Sequence, residues 1–131
     1  MLFRSEVLAK AEDHTAALNN LAYLYADNYG TPEEALVLAV KAFRKEPGNP
    51  GILDTLGLAL FKNGRHDEAV NVLTKAAELL PKVAAVRLHQ GQALHGAGKN
   101  AEARDALQAA IDLGPGPEAE QARKLLEQIK D

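Results

Sequence analysis

The side chains best suited to chemistry in this chain are four histidines, His14, His66, His89 and His95, and a single serine, Ser5. A metal ion needs ligands that converge. His89 and His95 lie six apart, off the i, i+3 and i+4 spacings that bring helix side chains together. No His-Glu-x-x-His string or His–carboxylate cluster supplies the missing ligands. His66-Asp67-Glu68 reads as the opening of a helix, where acidic side chains favour the positive end of the helix dipole. Ser5 has no nucleophile elbow around it. The recurring glycines stand as single turn residues, not as a loop that could cradle phosphate. The chain has no cysteine, which excludes a disulfide framework and thiolate-bound metal. The expectation is a protein that is not an enzyme and carries no cofactor and no metal.

Charge narrows the partners. The formal net charge is −3, both signs are interspersed, and aromatic residues are 5% of the chain. Without a basic stripe or stacking platform, nucleic acid is not an expected ligand. Apolar residues at 47% and charged residues at 25% fit an ordinary globular domain, and 131 residues suffice for one. The longest uninterrupted apolar run, residues 35–40, is far too short to span a bilayer. The opening Met-Leu-Phe-Arg-Ser-Glu lacks the long apolar stretch and cleavage site of a signal peptide. The chain as it stands is expected to be soluble, with cytoplasm and periplasm both open.

What remains is binding, and the elements that would position a binding face are legible from a repeat. Five positions carry the same residue three times at a spacing of 34: Gly30/Gly64/Gly98, Glu34/Glu68/Glu102, Ala35/Ala69/Ala103, Ala42/Ala76/Ala110 and Pro47/Pro81/Pro115. Average residue frequencies predict roughly 0.2–0.3 such coincidences by chance. A repeat of this length is a supersecondary unit that buries its apolar face on its neighbours.

Each unit reads as two helices and a tight turn. In the middle unit Leu53, Leu56, Gly57 and Leu60 follow helical spacing, and Asn63-Gly64 stops the helix by allowing a left-handed residue. A second stretch, Ala69, Val72, Leu73, Ala76 and Leu80, ends at Pro81. The third unit repeats this with Leu88, Gly91, Leu94 and Gly98, then Ala103, Leu107, Ala110 and Leu113. Thr31-Pro32-Glu33-Glu34 places a capping hydroxyl, a first-turn proline and a glutamate at the start of the first unit's second helix. Small residues at Gly57/Gly91 and Ala69/Ala103 fit close helix contacts, where side-chain size sets the interaxial distance. Charged residues along the second helices read as solvated outer faces. Residues 118–130 form a last helix with one apolar stripe, Ala119, Ala122, Leu125, Leu126 and Ile129, suited to capping the array. Residues 1–11 read as a short helix with Leu2, Phe3, Val7 and Leu8 apolar. It is either a shortened N-terminal cap or the remnant of a unit cut from a longer array.

Leu53-x-x-Leu56-Gly57-x-x-Leu60, Ala69-x-x-x-Leu73 and Pro81 together resemble the tetratricopeptide repeat (TPR). The third unit matches through Gly91, Leu94, Ala103, Leu107 and Pro115, but has Arg87 and Gln90 where large apolar residues are usual. The first matches through Leu18, Leu21, Ala22, Tyr25, Ala35 and Pro47, with one extra residue between Ala22 and Gly30 that predicts a local irregularity. Leu18-Asn19-Asn20-Leu21-Ala22 and the string from Asn49 to Gly57 are also similar to the C-terminal repeats of bacterial TPR lipoproteins linked to exopolysaccharide and exosortase systems. Such strings occur in other bacterial TPR proteins as well; the lipoprotein likeness would imply the C-terminal part of a longer exported protein. TPR domains that grip chaperone tails use lysine, arginine and asparagine to hold a carboxylate. The positions here hold Asn19, Asn20, Tyr23, Thr55, Leu58, His89 and Gln92, so the cations are missing and a chaperone-tail receptor is not expected.

The resemblance implies an all-α, right-handed α-solenoid. Its expected parts are a partial repeat helix at 1–13, three TPR hairpins at 15–48, 50–83 and 84–116, and a capping helix at 117–131. Its implied function is a noncatalytic scaffold that holds a peptide or helix of a protein partner in a concave groove. The groove would be lined by Asn19 and Tyr23 from the first unit, Asp54, Leu58, Phe61 and Lys62 from the second, and Leu88, Gln92 and His95 from the third. Leu58 and Phe61 either contact a ligand or pack between adjacent first helices; both roles stay open at this point. The rival function is a structural spacer or self-assembly module that works through its ends, with a homodimer through the N-terminal helix as one form.

Overall fold

Proline opens the helices that begin at Pro32, Pro50 and Pro117, and short polar side chains cap the first two. The structure, a computed structural model, describes residues 14–129. Among these are seven α-helices and no strand: α1 Thr15–Leu24, α2 Pro32–Lys45, α3 Pro50–Lys62, α4 His66–Leu79, α5 Ala84–Gly96, α6 Asn100–Asp112 and α7 Pro117–Gln128. The helix expected over residues 1–11, with the homodimer contact assigned to it, lies outside the described residues. Thr31 Oγ1 accepts from Glu34 N–H at 3.2 Å and donates to the Glu34 carboxylate at 3.1 Å, fixing the start of α2. Asn49 Oδ1 accepts from Gly51 N–H at 3.0 Å and does the same for α3. Gly64 and Gly98 end α3 and α5 at φ +75° and +79°, a region that a Cβ disfavours.

Gly30 holds the same column for a different reason. Its φ of −155° is extended backbone open to any residue. A Cβ there would instead stand 2.6 Å from Cγ of the Tyr25 ring, so the position is kept small by the aromatic lying over it. Just before it, Tyr25–Tyr29 form a π-helical turn that continues α1. A π turn stores one extra residue inside a helix. The spacing from Ala22 to Gly30 exceeds that from Gly57 to Gly64 by one residue, so the irregularity expected from sequence is this turn.

The second and third hairpins each close on one glycine–leucine contact. A Cβ on Gly57 would collide with Leu73, and one on Gly91 would stand 2.5 Å from Leu107 Cδ2. Leu73 and Leu107 are fully buried, each contributing about 1.5–3 kcal/mol by burial. The equivalent positions in the first hairpin hold Ala22 and Ala39, both fully buried. A methyl is gained on one helix and a larger side chain is given up on the other, so small residues meet on both sides of this seam.

The hairpins α1–α2, α3–α4 and α5–α6 stack so that α1 packs on α3, α3 on α5, and α5 on α7, whereas among the described residues the backbones of α2, α4 and α6 do not approach one another. Helices close on one side and splayed on the other define a curved wall. The first helices form its inner layer and the second helices its outer one. Residues 52–60 of α3 are all buried, because α3 is flanked on both sides by first helices and backed by α4. The apolar stripe of α7 turns Ala119 and Ala122 inward, with Ile129 buried just beyond it, against the α5–α6 hairpin. Arg87 and Gln90, polar where the pattern wants apolar residues, satisfy each other at 3.3 Å, and Arg87 Nε also donates to Pro81 O.

Gly91→Ala is expected to lower stability by about 1–3 kcal/mol through overpacking. In a Leu107→Ala background, which recreates the Ala22/Ala39 combination, the same change should cost close to nothing. Urea denaturation of the four proteins in this cycle measures the coupling, and additive losses would show that the seam is not set by this contact.

Candidate functional site

The inner wall is built from α1, α3, α5 and α7, and its side chains converge because neighbouring first helices are in contact. The expected groove residues divide into two groups with a packed bridge between them. Asn19, Tyr23 and Asp54 line a depression of about 450 Å³ together with Asn20, Leu24 and Thr55. Phe61, Gln92 and His95 line a second, of about 460 Å³, with His66 from α4 and Gln121, Lys124 and Gln128 from α7. Lys62 is exposed at the end of α3, outside both linings.

Leu58 and Leu88 form part of the bridge. They are 4% and 3% exposed and belong to the main core cluster. Of the two roles left open by the sequence, Leu58 takes the packing one: with α1 on one flank and α5 on the other, this face of α3 has no free surface. Phe61 is half-buried, packs against the same core, and sets its ring 5.5 Å from that of His66. The exposed apolar surface of the inner wall comes from α1, where Tyr23 is 36% and Leu24 48% exposed.

A buried polar pair joins the second and third units. His89 Nδ1 donates to Asp54 Oδ1 at 2.8 Å, and both side chains are nearly excluded from solvent. The carboxylate can only accept, so the proton sits on Nδ1. Asp54 is enclosed because α3 is enclosed, and a buried carboxylate without a donor would be costly. Thr55, beside it, solves the same problem locally by donating to Gly51 O at 3.1 Å. Tyr23 reaches over α3 and places its ring centroid 6.2 Å from that of His89. Residues from three successive first helices therefore meet at one point.

Partial burial of the Tyr23 phenol, followed by the charges of Asp27, Asp54 and Glu118, holds its ionisation above the usual tyrosine value. Each depression also contains a buried polar atom without a hydrogen-bond partner: Asn19 Oδ1 in the first and His66 Nδ1 in the second. Among the described residues no three His, Asp or Glu side chains stand close enough to hold a metal ion, and no helix is long and apolar enough to cross a membrane.

The outer layer holds a feature that the reading of solvated charges missed. Between α2 and α4 runs a trough of about 470 Å³ lined by Leu36, Val40, Phe43 and Val72, with Val37, 56% exposed, on a neighbouring surface. The signal was present in the apolar run of residues 35–40, which is richer than one buried face of α2 requires. The Asp54–His89 contact had no such signal, since its partners are 35 residues apart and off the repeat register.

A stack of helix hairpins with a polar-lined inner wall defines a helical repeat solenoid, a class of protein-interaction scaffold. The second and third of these hairpins match the tetratricopeptide repeat: the family model of that description covers residues 55–117. The chain is 35% identical over 75 residues to TPR repeat-containing protein PA4667 of Pseudomonas aeruginosa, covering 57% of this chain and 13% of that protein. It is 38% identical over 88 residues to the Photosystem I assembly protein Ycf3 of Prochlorococcus marinus, covering 62% of this chain and 49% of that protein. The chain thus spans less than half the length of these curated relatives. Among solved structures, the first TPR domain of human RPAP3 superposes with a TM-score of 0.75 at 20% identity, over 89% of this chain and 90% of that one, a likeness of fold.

His89→Leu is expected to lower stability by about 1–3 kcal/mol, because it strands the Asp54 carboxylate. The double change Asp54→Leu with His89→Leu should recover most of the loss; thermal melts that show a further drop instead would contradict this account of the pair. A second expectation concerns Tyr23. The folded protein keeps the phenol proton at a pH where the unfolded chain has lost it, so stability from this group is present below the usual tyrosine value and is lost as pH rises through the higher folded value. Ultraviolet difference titration of Asp27→Asn should show one tyrosine ionising at lower pH than in the parent protein, and an unchanged curve would count against the charge effect.

Proposed function

We propose that this domain is a noncatalytic scaffold whose inner wall receives an extended or helical segment of a protein partner. The observation that carries the reading is the exposed Tyr23–Leu24 surface beside the half-buried Asn19 amide, with Asp54 and Thr55 facing it across the same depression. Apolar and aromatic area anchors a segment by burial, and a few fixed polar groups set its register. The assembly role in the name of the Prochlorococcus relative supports a protein as the ligand.

The outer trough between α2 and α4 favours a second reading, contact with partners through the outer layer, which differs from a spacer or self-assembly module that works through its ends. Photo-crosslinking separates the two. A benzophenone amino acid placed at Tyr23 or Gln92 should crosslink a partner peptide in native extract, and one placed at Val37 or Asn71 should not. Tyr23→Ala should weaken capture of that same peptide about tenfold or more while helicity and melting hold. Crosslinks from the outer positions alone would transfer the function to the trough.

A further inference from the structure

The two ends of the inner wall differ in charge. Lys124 lines the depression beside α7, whereas among the described residues no lysine or arginine lines the one beside α1. Around Tyr23 the charged groups are carboxylates from three separate elements: Asp27 from the π turn, Asp54 from α3 and Glu118 from the first turn of α7. His89 is committed to Asp54 at 2.8 Å. The Tyr23 ring is partly open to solvent in the middle of this set.

We infer that the α1 end of the inner wall is a receptor for a basic side chain of the bound segment, arginine above lysine, stacked on the Tyr23 ring between Asp27, Asp54 and Glu118. This rests on the groove reading and names its ligand chemistry. A cation over a tyrosine face is attracted by the ring quadrupole, and a guanidinium can stack flat while its edge donors reach carboxylates. Asp54 lines the same depression as the exposed Tyr23 ring, and the upward shift of the phenol, caused first by burial and then by Asp27, Asp54 and Glu118, agrees with a negative field there. The carboxylates around the ring are acceptors only, and Asp54 lines the same depression. An arginine brings five donors and no acceptor, which complements that set; a carboxylate anchor brings acceptors and like charge. Selectivity is thus opposite in sign to that of a domain built to hold a peptide's terminal carboxylate.

Three amidated heptapeptides, identical except for a central arginine, glutamate or norleucine, test this by titration into isotope-labelled protein followed by NMR. The arginine peptide is expected to shift Tyr23, Asn19 and Asp54 resonances and to bind about tenfold or more tightly than the glutamate peptide, with a preference that falls as salt is raised. Asp27→Asn with Glu118→Gln, both outside the core, should bring the arginine peptide down to the norleucine level without loss of helicity. Equal binding of all three peptides on the inner wall would overturn the basic anchor and leave the groove reading standing. Shifts confined to Val37, Val40 and Phe43 would overturn both, and no shift at millimolar arginine peptide would overturn the anchor.

Discussion

The structure depends on how closely two helices can approach at one point in each hairpin. Where Gly57 and Gly91 offer no Cβ, Leu73 and Leu107 fill the space, and the hairpin closes to a fixed width. That width lets α1, α3 and α5 stand side by side while α2, α4 and α6 spread apart. Curvature, the inner wall and the outer trough all follow from this difference in spacing between the two layers. The Ala22/Ala39 combination is also completely buried, with a methyl on each helix in place of a glycine and a leucine, so what the fold retains at the seam is close packing and not a residue type.

Stacking first helices against one another has a cost in the middle of the array. A helix with one apolar stripe suffices at an edge, but α3 is covered on every side along residues 52–60. Its polar residues then need partners inside the protein. Thr55 finds one on its own helix, and Asp54 finds one on the next unit in His89. The polar contact nearest the candidate site is thus a product of the packing that creates the site. Tyr23 reaches this point only because the wall is curved enough to bring α1 and α5 within range across α3.

The fold was legible because each of its determinants repeats. Period, helix ends and seam positions could be read from Gly, Ala and Pro at fixed spacing, and even the extra residue before Gly30 announced an irregularity. The site was legible only in part. Asn19, Tyr23, Asp54, Phe61, Gln92 and His95 do line the inner wall, but burial of Leu58 and Leu88 depends on two neighbours at once, which a single-helix pattern cannot express. An apolar density around the whole circumference of α3, visible from Ile52 to Phe61, was the available clue. The Asp54–His89 pair breaks the repeat register, so no self-comparison could find it. The glycine column misled in a milder way, since Gly30 keeps its residue type by contact with Tyr25 and not by backbone conformation.

The π turn at Tyr25–Tyr29 bears on how such arrays change over time. An insertion within a rigid repeat would ordinarily rotate everything after it by a hundred degrees and tear the stack. Here the added residue is absorbed within five, and the next helix starts on its proper cap at Thr31. Length can therefore drift inside a unit while its junctions stay in frame. The place where it drifted carries Asp27, beside the most exposed aromatic of the inner wall. Genetic variation that the stack tolerates mechanically is thereby directed to the edge of the binding face, where a single unit can acquire a new preference without any alteration to its neighbours.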